Sequence, residues 1–157
     1  MPIITSLGNG GIIWILTALI LIATKKYRVT GIAVLAALLL NLLIGNIILK
    51  PLIARVRPCD INTAVQLLIP RPTDYSFPSG HTLSSFAAAT VIFLRDKRFG
   101  IAALILASLI AFSRLYLYVH YLSDVLGGIV IGAAIGIFVH IMISNIMKKI
   151  NKKSAKN

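Results

Sequence analysis

An arginine, a histidine and an aspartate lie between two strongly apolar runs, within residues 113–124. His120 and Asp124 are four positions apart, so on a helix their side chains share one face and can meet. A carboxylate that holds one ring nitrogen of an imidazole fixes its tautomer and leaves the other nitrogen free to attack. Arg114 adds a planar guanidinium, which suits a phosphate. Because charged groups beside membrane segments are costly and mark functional sites, this stretch predicts half of an active site.

Two earlier segments can supply the other half of this site. Lys50 and Arg57 lie in the stretch Lys-Pro-Leu-Ile-Ala-Arg-Val-Arg-Pro, which follows an apolar run. Ser79 and Gly80 directly precede the next apolar run, so their backbone N–H groups are expected to point outward from a helix N-terminus. Such a terminus attracts anions, and Arg114 adds a further positive charge to the set. Phosphate is the anion that fits these groups best.

The two histidines of these segments suggest two different catalytic roles. His120, held by Asp124, is the candidate nucleophile and would form a phosphohistidine. His81 is the candidate general acid, which would protonate the leaving oxygen before water hydrolyses the intermediate. An unperturbed histidine has a pKa of about 6.5, so both protonation states are accessible near neutral pH. The cations would stabilise the charge of the transferring group.

The composition is that of an integral membrane protein. The 157 residues are 58% hydrophobic and 13% charged, whereas soluble domains carry roughly 25% charged residues. The length and the lack of a polar linker predict one domain, residues 1–157. The net charge of +12 does not indicate nucleic-acid binding, because no soluble basic face is present. Cys59 is the only cysteine, which excludes an internal disulfide and a cysteine-rich metal site.

The order of apolar runs predicts an all-α bundle with about five membrane-spanning helices. The predicted spans lie near residues 10–24, 31–49, 81–94, 100–119 and 125–147. The uncharged first run lacks the basic start of a signal peptide, so we expect it to be retained. Residues 50–80 are predicted to form an active-site loop. Within it, residues 61–69 fit either a short helix, with Asp60 as N-cap and Pro70 as stop, or irregular loop.

Basic residues predict the orientation in the membrane. Most of the 16 Lys and Arg residues lie in the turns at 25–30 and 95–98 and in the tail from Lys148. The positive-inside rule therefore predicts a cytoplasmic C-terminus and an extracytoplasmic site. The cations of the predicted site oppose this bias, which suggests that they are retained for chemistry. Arg55 and Arg71 fit interfacial side chains that reach lipid headgroups, so they are not assigned to the site.

Three motifs in order resemble the signatures of the type 2 phosphatidic acid phosphatase family. They are Lys-x6-Arg-Pro at 50–58, Pro-Ser-Gly-His at 78–81 and Ser-Arg-x5-His-x3-Asp at 113–124. That superfamily includes phosphatases of phosphatidylglycerophosphate and undecaprenyl pyrophosphate, and also the vanadium haloperoxidases. The haloperoxidases are large and soluble, unlike this chain. The resemblance implies an all-helical core and a metal-independent reaction, without a cofactor, through a phosphohistidine.

The resemblance also assigns roles to individual residues. It makes His120 the nucleophile, Asp124 its orienting partner and His81 the acid. The phosphate-binding residues that it implies are Lys50, Arg57, Ser79, Gly80 and Arg114.

Three functions remain as alternatives at this point. The first is a lipid phosphatase, with undecaprenyl pyrophosphate slightly preferred over phosphatidylglycerophosphate and phosphatidic acid. The second is a transporter or channel subunit with an anion site at its mouth, which would require polar groups through the bilayer midplane. The third is a catalytically silent lipid-binding relative, which would be expected to lack a motif histidine. The sequence favours the first, because its spans are apolar and both motif histidines are present.

Overall fold

The structure, a computed structural model, describes residues 1–154, which contain helices and loops but no strand. In chain order the helices are α1 (Pro2–Leu7), α2 (Ile12–Ala23), α3 (Arg28–Asn41), α4 (Lys50–Ile53), α5 (Pro58–Ile61), α6 (Gly80–Arg95), α7 (Lys97–Tyr116) and α8 (Leu122–Ser154). A short 3-10 turn, Asn9–Gly11, joins α1 to α2. A π-helical segment, Leu42–Leu49, joins α3 to α4.

Within residues 1–154, three helical stretches are long and apolar enough to cross a membrane: Arg28–Ile61, Lys97–Tyr116 and Leu122–Ser154. Their outer faces expose large apolar side chains, for example Leu39, Ile105 and Val130. Exposed apolar surface on this scale requires lipid rather than water around it. The predicted all-α membrane bundle is therefore confirmed. Helices occupy most of each predicted span, although α7 ends at Tyr116, before the predicted end at residue 119.

Helix α6 is the centre of the bundle. It has only 16 residues, and it packs against α3, α7 and α8. Small side chains on its buried faces, such as Ala87 and Ala88, let these neighbours approach closely. Trp14 of α2 donates a hydrogen bond to Ser85 of α6 over 2.9 Å. The surroundings of α6 are therefore largely protein, which suits a helix that carries the second motif at its start.

Glycines at every fourth position of α8 face α6. A Cβ atom on Gly132 would lie 2.5 Å from the carbonyl oxygen of Leu83, and one on Gly136 would lie 2.8 Å from that of Ala87. Both contacts are with backbone, which cannot move aside cheaply. The close α6–α8 contact thus holds the starts of these two helices, and with them the second and third motifs, next to each other.

The loop before α6 decides between the two expectations for residues 61–69. Residues 62–69 form no helix; a single helical turn, α5, precedes them and ends at Ile61. The carboxylate of Asp60 does not cap a following helix, because it accepts a hydrogen bond from Arg71 over 2.9 Å. The irregular-loop alternative is therefore correct.

Candidate active site

Five polar segments meet at one end of the bundle, around a cavity of about 900 Å³. They are the turn after α1, the start of α4, the loop before α6 with its first turn, the last turn of α7, and the loop before α8. The predicted site residues that line the cavity are Lys50, Arg57, Gly80, His81, Arg114 and His120. The other two, Ser79 and Asp124, are fully buried behind this lining. The structure thus brings together all three predicted motifs.

His120 and Asp124 meet as predicted, although the geometry is not that of one helix face. His120 lies in the loop before α8, and Asp124 lies in the first turn of α8. The Nδ1 atom of His120 is 3.4 Å from Oδ2 of Asp124. The same Oδ2 accepts the backbone N–H of Tyr121 over 2.9 Å, which ties the loop to the helix start. A buried carboxylate therefore fixes both the imidazole and the loop that carries it.

Arg57 determines which nitrogen of His120 is free to react. Its Nη1 lies 3.0 Å from Nε2 of His120. Arginine can only donate a hydrogen bond, so Nε2 must accept, and the ring proton must be on Nδ1, towards Asp124. The lone pair of Nε2 is consequently the one that a group bound in the cavity could meet. The same Nη1 also donates to the carbonyl of Val119 over 2.7 Å, so the guanidinium keeps a partner when Nε2 is engaged elsewhere.

The environment of His120 keeps its ring neutral. The residue is 4% exposed, and burial lowers its pKa to about 4, against the opposing hydrogen bond to Asp124. Arg57 and Arg114 lower this pKa further through their charge. A neutral imidazole is the form that a nucleophile requires.

Ser76 is a site residue that the sequence did not indicate. Its hydroxyl donates to Oδ2 of Asp124 over 2.5 Å and lies 3.4 Å from Nδ1 of His120. Ser76 is fully buried, two positions before the Pro-Ser-Gly-His motif. A serine in a polar loop has no periodic pattern around it, so no sequence signal distinguishes it from its neighbours.

The contacts of Arg55 show that it belongs to the site, so the prediction of an interfacial residue outside the site is wrong. Its Nη1 lies 2.6 Å from Oδ1 of Asp124 and 2.7 Å from the hydroxyl of Ser123. The guanidinium also stacks 4.1 Å from the ring centre of Tyr121. Because Asp124 is fully buried, an adjacent cation offsets the cost of removing its charge from water. Arg71, in contrast, pairs with Asp60 on the exposed loop.

Asp74 is a second site residue that the sequence did not indicate, and its carboxylate contacts both Lys50 and Arg57. Asp74, in the loop before α6, forms an ion pair with the ammonium of Lys50 and lies 2.7 Å from Nη2 of Arg57. Its partial burial opposes ionisation, but these two cations lower the pKa of Asp74 to about 2. The carboxylate is therefore charged at neutral pH.

Arg114 retains an unused donor. Its Nη1 donates to the hydroxyl of Thr5 over 2.5 Å, which links α7 to α1. The guanidinium is buried, and its Nε has no hydrogen-bond partner among residues 1–154. Buried donors are rarely left unpaired, so this group is suited to an anion in the cavity.

The backbone N–H groups of Ser79 and Gly80, at the start of α6, were both predicted to point outward, and this is wrong for Ser79. The backbone N–H of Ser79 does not point outward, because it donates to the carbonyl of Asp124 over 3.2 Å. The hydroxyl of Ser79 is likewise occupied, accepting from Thr82 over 3.0 Å. Ser79 therefore connects α6 to α8. The first amides of α6, beginning with Gly80, have no side-chain cap within residues 1–154. A Cβ on Gly80 would lie 3.7 Å from Nζ of Lys50, so glycine keeps this position open beside a cation.

The N-terminal segment contacts His81. The Nε2 atom of His81 lies 2.9 Å from the side-chain oxygen of Asn9. Because this oxygen can only accept a hydrogen bond, the contact holds a proton on Nε2 of His81. A Cβ on Gly8 would lie 2.7 Å from the ring of His81, so the turn after α1 packs closely against it. Asn9 and Thr5 lie outside the three motifs. The sequence therefore gave no reason to place them at the site.

The amino-acid sequence of the chain is similar to those of known proteins. The family model of the PAP2 superfamily matches residues 30–148. Undecaprenyl-diphosphatase of Sulfolobus acidocaldarius is 34% identical over 122 residues, covering 77% of this chain and 59% of that protein. Undecaprenyl-diphosphatase BcrC of Bacillus subtilis is 36% identical over 112 residues, covering 71% of this chain and 55% of that protein. The chain thus spans less than two thirds of the length of these relatives.

Solved structures show a similar fold. The crystal structure of a transmembrane PAP2 type phosphatidylglycerolphosphate phosphatase from Bacillus subtilis superposes with a TM-score of 0.67 at 27% identity, covering 94% of this chain and 74% of that chain. The crystal structure of LpxE from Aquifex aeolicus superposes with a TM-score of 0.69 at 29% identity, covering 87% and 80% respectively.

Replacing Arg55 should destabilise the protein through Asp124. Arg55→Gln leaves a buried carboxylate without its cation, which costs about 2 kcal/mol and should lower Tm by roughly 4–8 °C. Arg71→Gln removes an exposed pair worth about 0–1 kcal/mol and serves as the matched control. Thermal unfolding in detergent measures both. Equal Tm values for the two variants would contradict the role of Arg55 as the counterion of Asp124.

His120 should titrate well below an ordinary histidine. In the folded protein its pKa is about 4, whereas in the unfolded chain it is about 6.5. The unfolded state therefore binds the proton first, so the free energy of unfolding should decrease as the pH falls from about 6.5 towards 4. NMR of nitrogen-labelled histidine, assigned with His120→Gln, measures the midpoint directly. A midpoint at or above that of a free histidine would contradict the burial argument.

Proposed function

Because the chain belongs to the PAP2 superfamily, we propose that it is an integral membrane lipid phosphatase that acts through a phosphohistidine. The observation that carries this proposal is the environment of Nε2 of His120. That lone pair lies at a cavity also lined by Lys50, Arg57 and Arg114, while the opposite nitrogen faces a buried carboxylate. A nucleophile and several cations around one cavity favour transfer of a phosphoryl group.

In the first step, Nε2 of His120 attacks the terminal phosphorus, and the bond from phosphorus to the leaving oxygen breaks. Arg57 gives up its contact with Nε2 and binds a phosphoryl oxygen instead. Asp124 accepts the hydrogen bond from Nδ1–H and stabilises the positive charge that develops on the ring. The leaving oxygen takes a proton from His81. The negative charge of the transferring group is stabilised by Lys50, Arg57, Arg114 and the N–H of Gly80.

In the second step, water attacks the phosphohistidine and the bond from phosphorus to Nε2 breaks. His81, now neutral, accepts the proton that the water loses. Inorganic phosphate leaves, and His120 regains the lone pair with which it began. The cycle needs one histidine that is neutral at the start and one that carries a transferable proton. Asp124 faces the ring of His120, and Asn9 faces the ring of His81.

A lipid substrate is supported by the walls of the cavity. On one side the cavity is lined by the site cations, and on another by apolar side chains of α2, α3 and the π-helical segment, among them Ile15, Leu38 and Leu42. These helices also expose apolar side chains on their outer faces. A phosphate head could therefore bind the cations while its hydrocarbon chain follows the apolar wall.

Among lipids we favour a polyprenyl diphosphate such as undecaprenyl pyrophosphate. Two relatives that are 34–36% identical to this chain are undecaprenyl-diphosphatases, which supports this choice. Phosphatidylglycerophosphate is the alternative, supported by phosphatidylglycerophosphatase B of Bacillus subtilis, which is 38% identical over 98 residues. Phosphatidic acid presents the same terminal phosphate monoester.

Turnover tests the proposed reaction. Purified protein should release phosphate from undecaprenyl pyrophosphate in the presence of EDTA, and a panel with the two monophosphate lipids ranks the substrates. His120→Gln should lower turnover by about a thousandfold or more, because the nucleophile is lost. His140→Gln, a histidine farther along α8, is the matched control and should retain turnover. Rapid quenching with radiolabelled substrate should trap phosphate on the parent protein. Near-parental turnover by His120→Gln would reject the mechanism.

The site is proposed to face the extracytoplasmic side, with the C-terminus in the cytoplasm, on the basis of the positive-inside rule. Ala64 lies on the exposed loop before α6, and Arg98 lies at the opposite end of the bundle. In a Cys59→Ser background, Ala64→Cys should react with an impermeant thiol reagent on intact cells. Arg98→Cys should react only after permeabilisation. The reverse pattern would invert the orientation.

A further inference from the structure

Two buried cations of the site are already paired with a carboxylate of the chain itself. Lys50 is 7% exposed and Arg57 is 2% exposed. One oxygen of Asp74 pairs with the ammonium of Lys50, and the other lies 2.7 Å from Nη2 of Arg57. The backbone carbonyl of Asp74 also accepts from Nε of Arg57 over 2.8 Å. The carboxylate thus bridges the two cations as two oxygens of a phosphate would.

Asp74 is the accessible member of this group. Its side chain is 52% exposed, and it lies on the irregular loop between α5 and α6, where it lines the cavity. The cations are held by helix ends and buried contacts, whereas the carboxylate is held mainly by the cations. A rotation of the Asp74 side chain would therefore free the oxygen-binding positions without disturbing the helices.

The negative charge that faces Lys50 and Arg57 differs between the empty site, which holds Asp74, and the site with a bound phosphate. Without an anion, Lys50 and Arg57 would be two like charges removed from water, which is unfavourable. Asp74 offsets this with a charge of minus one. A terminal phosphate brings a charge of up to minus two, whereas a phosphodiester, as in most membrane lipids, brings only minus one. Only the terminal phosphate offers the cations more charge than they already have.

We propose that Asp74 is a resident counterion that a terminal phosphate displaces, and that the cost of this displacement keeps the more weakly bound phosphodiester headgroups out of the site. This inference rests on the proposed function only in requiring that phosphate binds at Lys50 and Arg57. It has two consequences. Asp74 weakens the binding of every anion to the empty site by a similar factor, so a monoanion, which the two cations bind more weakly, no longer occupies the site. It also returns to the cations after hydrolysis, which favours release of inorganic phosphate.

Direct binding to the purified full-length protein tests this role. Asp74→Asn keeps the shape of the side chain and removes its charge. Calorimetric titration with inorganic phosphate should give a dissociation constant lower than that of the parent by about tenfold. Dimethyl phosphate, a diester monoanion, should gain affinity by a similar factor, and it should bind more weakly than phosphate to both proteins. Asp60→Asn removes the other loop carboxylate and should change both constants by less than about twofold, since its pair with Arg71 is exposed.

A charge series at the same position covers the case in which Asp74→Asn folds poorly. Asp74→Cys in a Cys59→Ser background can be modified with methanethiosulfonate reagents that carry a sulfonate or a trimethylammonium group. Phosphate affinity should be higher with the cationic group than with the anionic group. The opposite order, or no difference, would overturn the proposal.

The outcomes separate this inference from the proposed reaction. Tighter phosphate binding by Asp74→Asn in a protein that hydrolyses no lipid phosphate would support the counterion while rejecting the phosphatase. Normal turnover together with weaker phosphate binding by Asp74→Asn would make Asp74 a positioning residue for the cations and overturn the inference. Absence of phosphate binding by both the parent and the variant would also overturn it.

Discussion

The buried carboxylate of Asp124 is the interaction on which the site depends. It is fully buried and accepts from Arg55, from Ser76 and from the backbone of Tyr121, and it also faces Nδ1 of His120. An isolated charge in this position would be very costly, and these partners together offset that cost. The Asp124 carboxylate thereby joins four parts of the chain. They are the first turn of α8, the loop before it, and the two segments of residues 50–80 that carry Arg55 and Ser76.

The close packing of α6 against α8 makes this convergence possible. Glycines on α8 remove the side chains that would separate the two backbones, as at Gly132. At the site end of this contact, the backbone N–H of Ser79 bonds to the carbonyl of Asp124. The second and third motifs are therefore part of one rigid contact between helices. This is why polar groups from distant parts of the chain can be held within hydrogen-bond distance at the edge of an apolar bundle.

The cations around the cavity are compensated in two different ways. Arg55 is paired with a fully buried carboxylate and acts as part of the framework. Lys50 and Arg57 are paired with the half-exposed carboxylate of Asp74, and Nε of Arg114 has no partner in the part of the chain that the structure describes. The cations proposed to bind phosphate are thus paired with a half-exposed carboxylate, whereas the carboxylate that contacts His120 is fully buried and paired with Arg55.

The sequence by itself determined the helices, because each apolar run has one stable form in a bilayer. It also indicated the motif residues, because His120, Asp124 and the cations are costly at membrane ends unless they have a function. Only the tertiary structure decided the partners of those residues. Arg55, Ser76, Asp74 and Asn9 lie on loops, where no periodicity constrains which side chain faces the site. The contact of Arg57 with Nε2, and hence the tautomer of His120, follows from how the helix ends pack together. The outward N–H of Ser79 was wrongly predicted for the same reason, since α8 provides its acceptor.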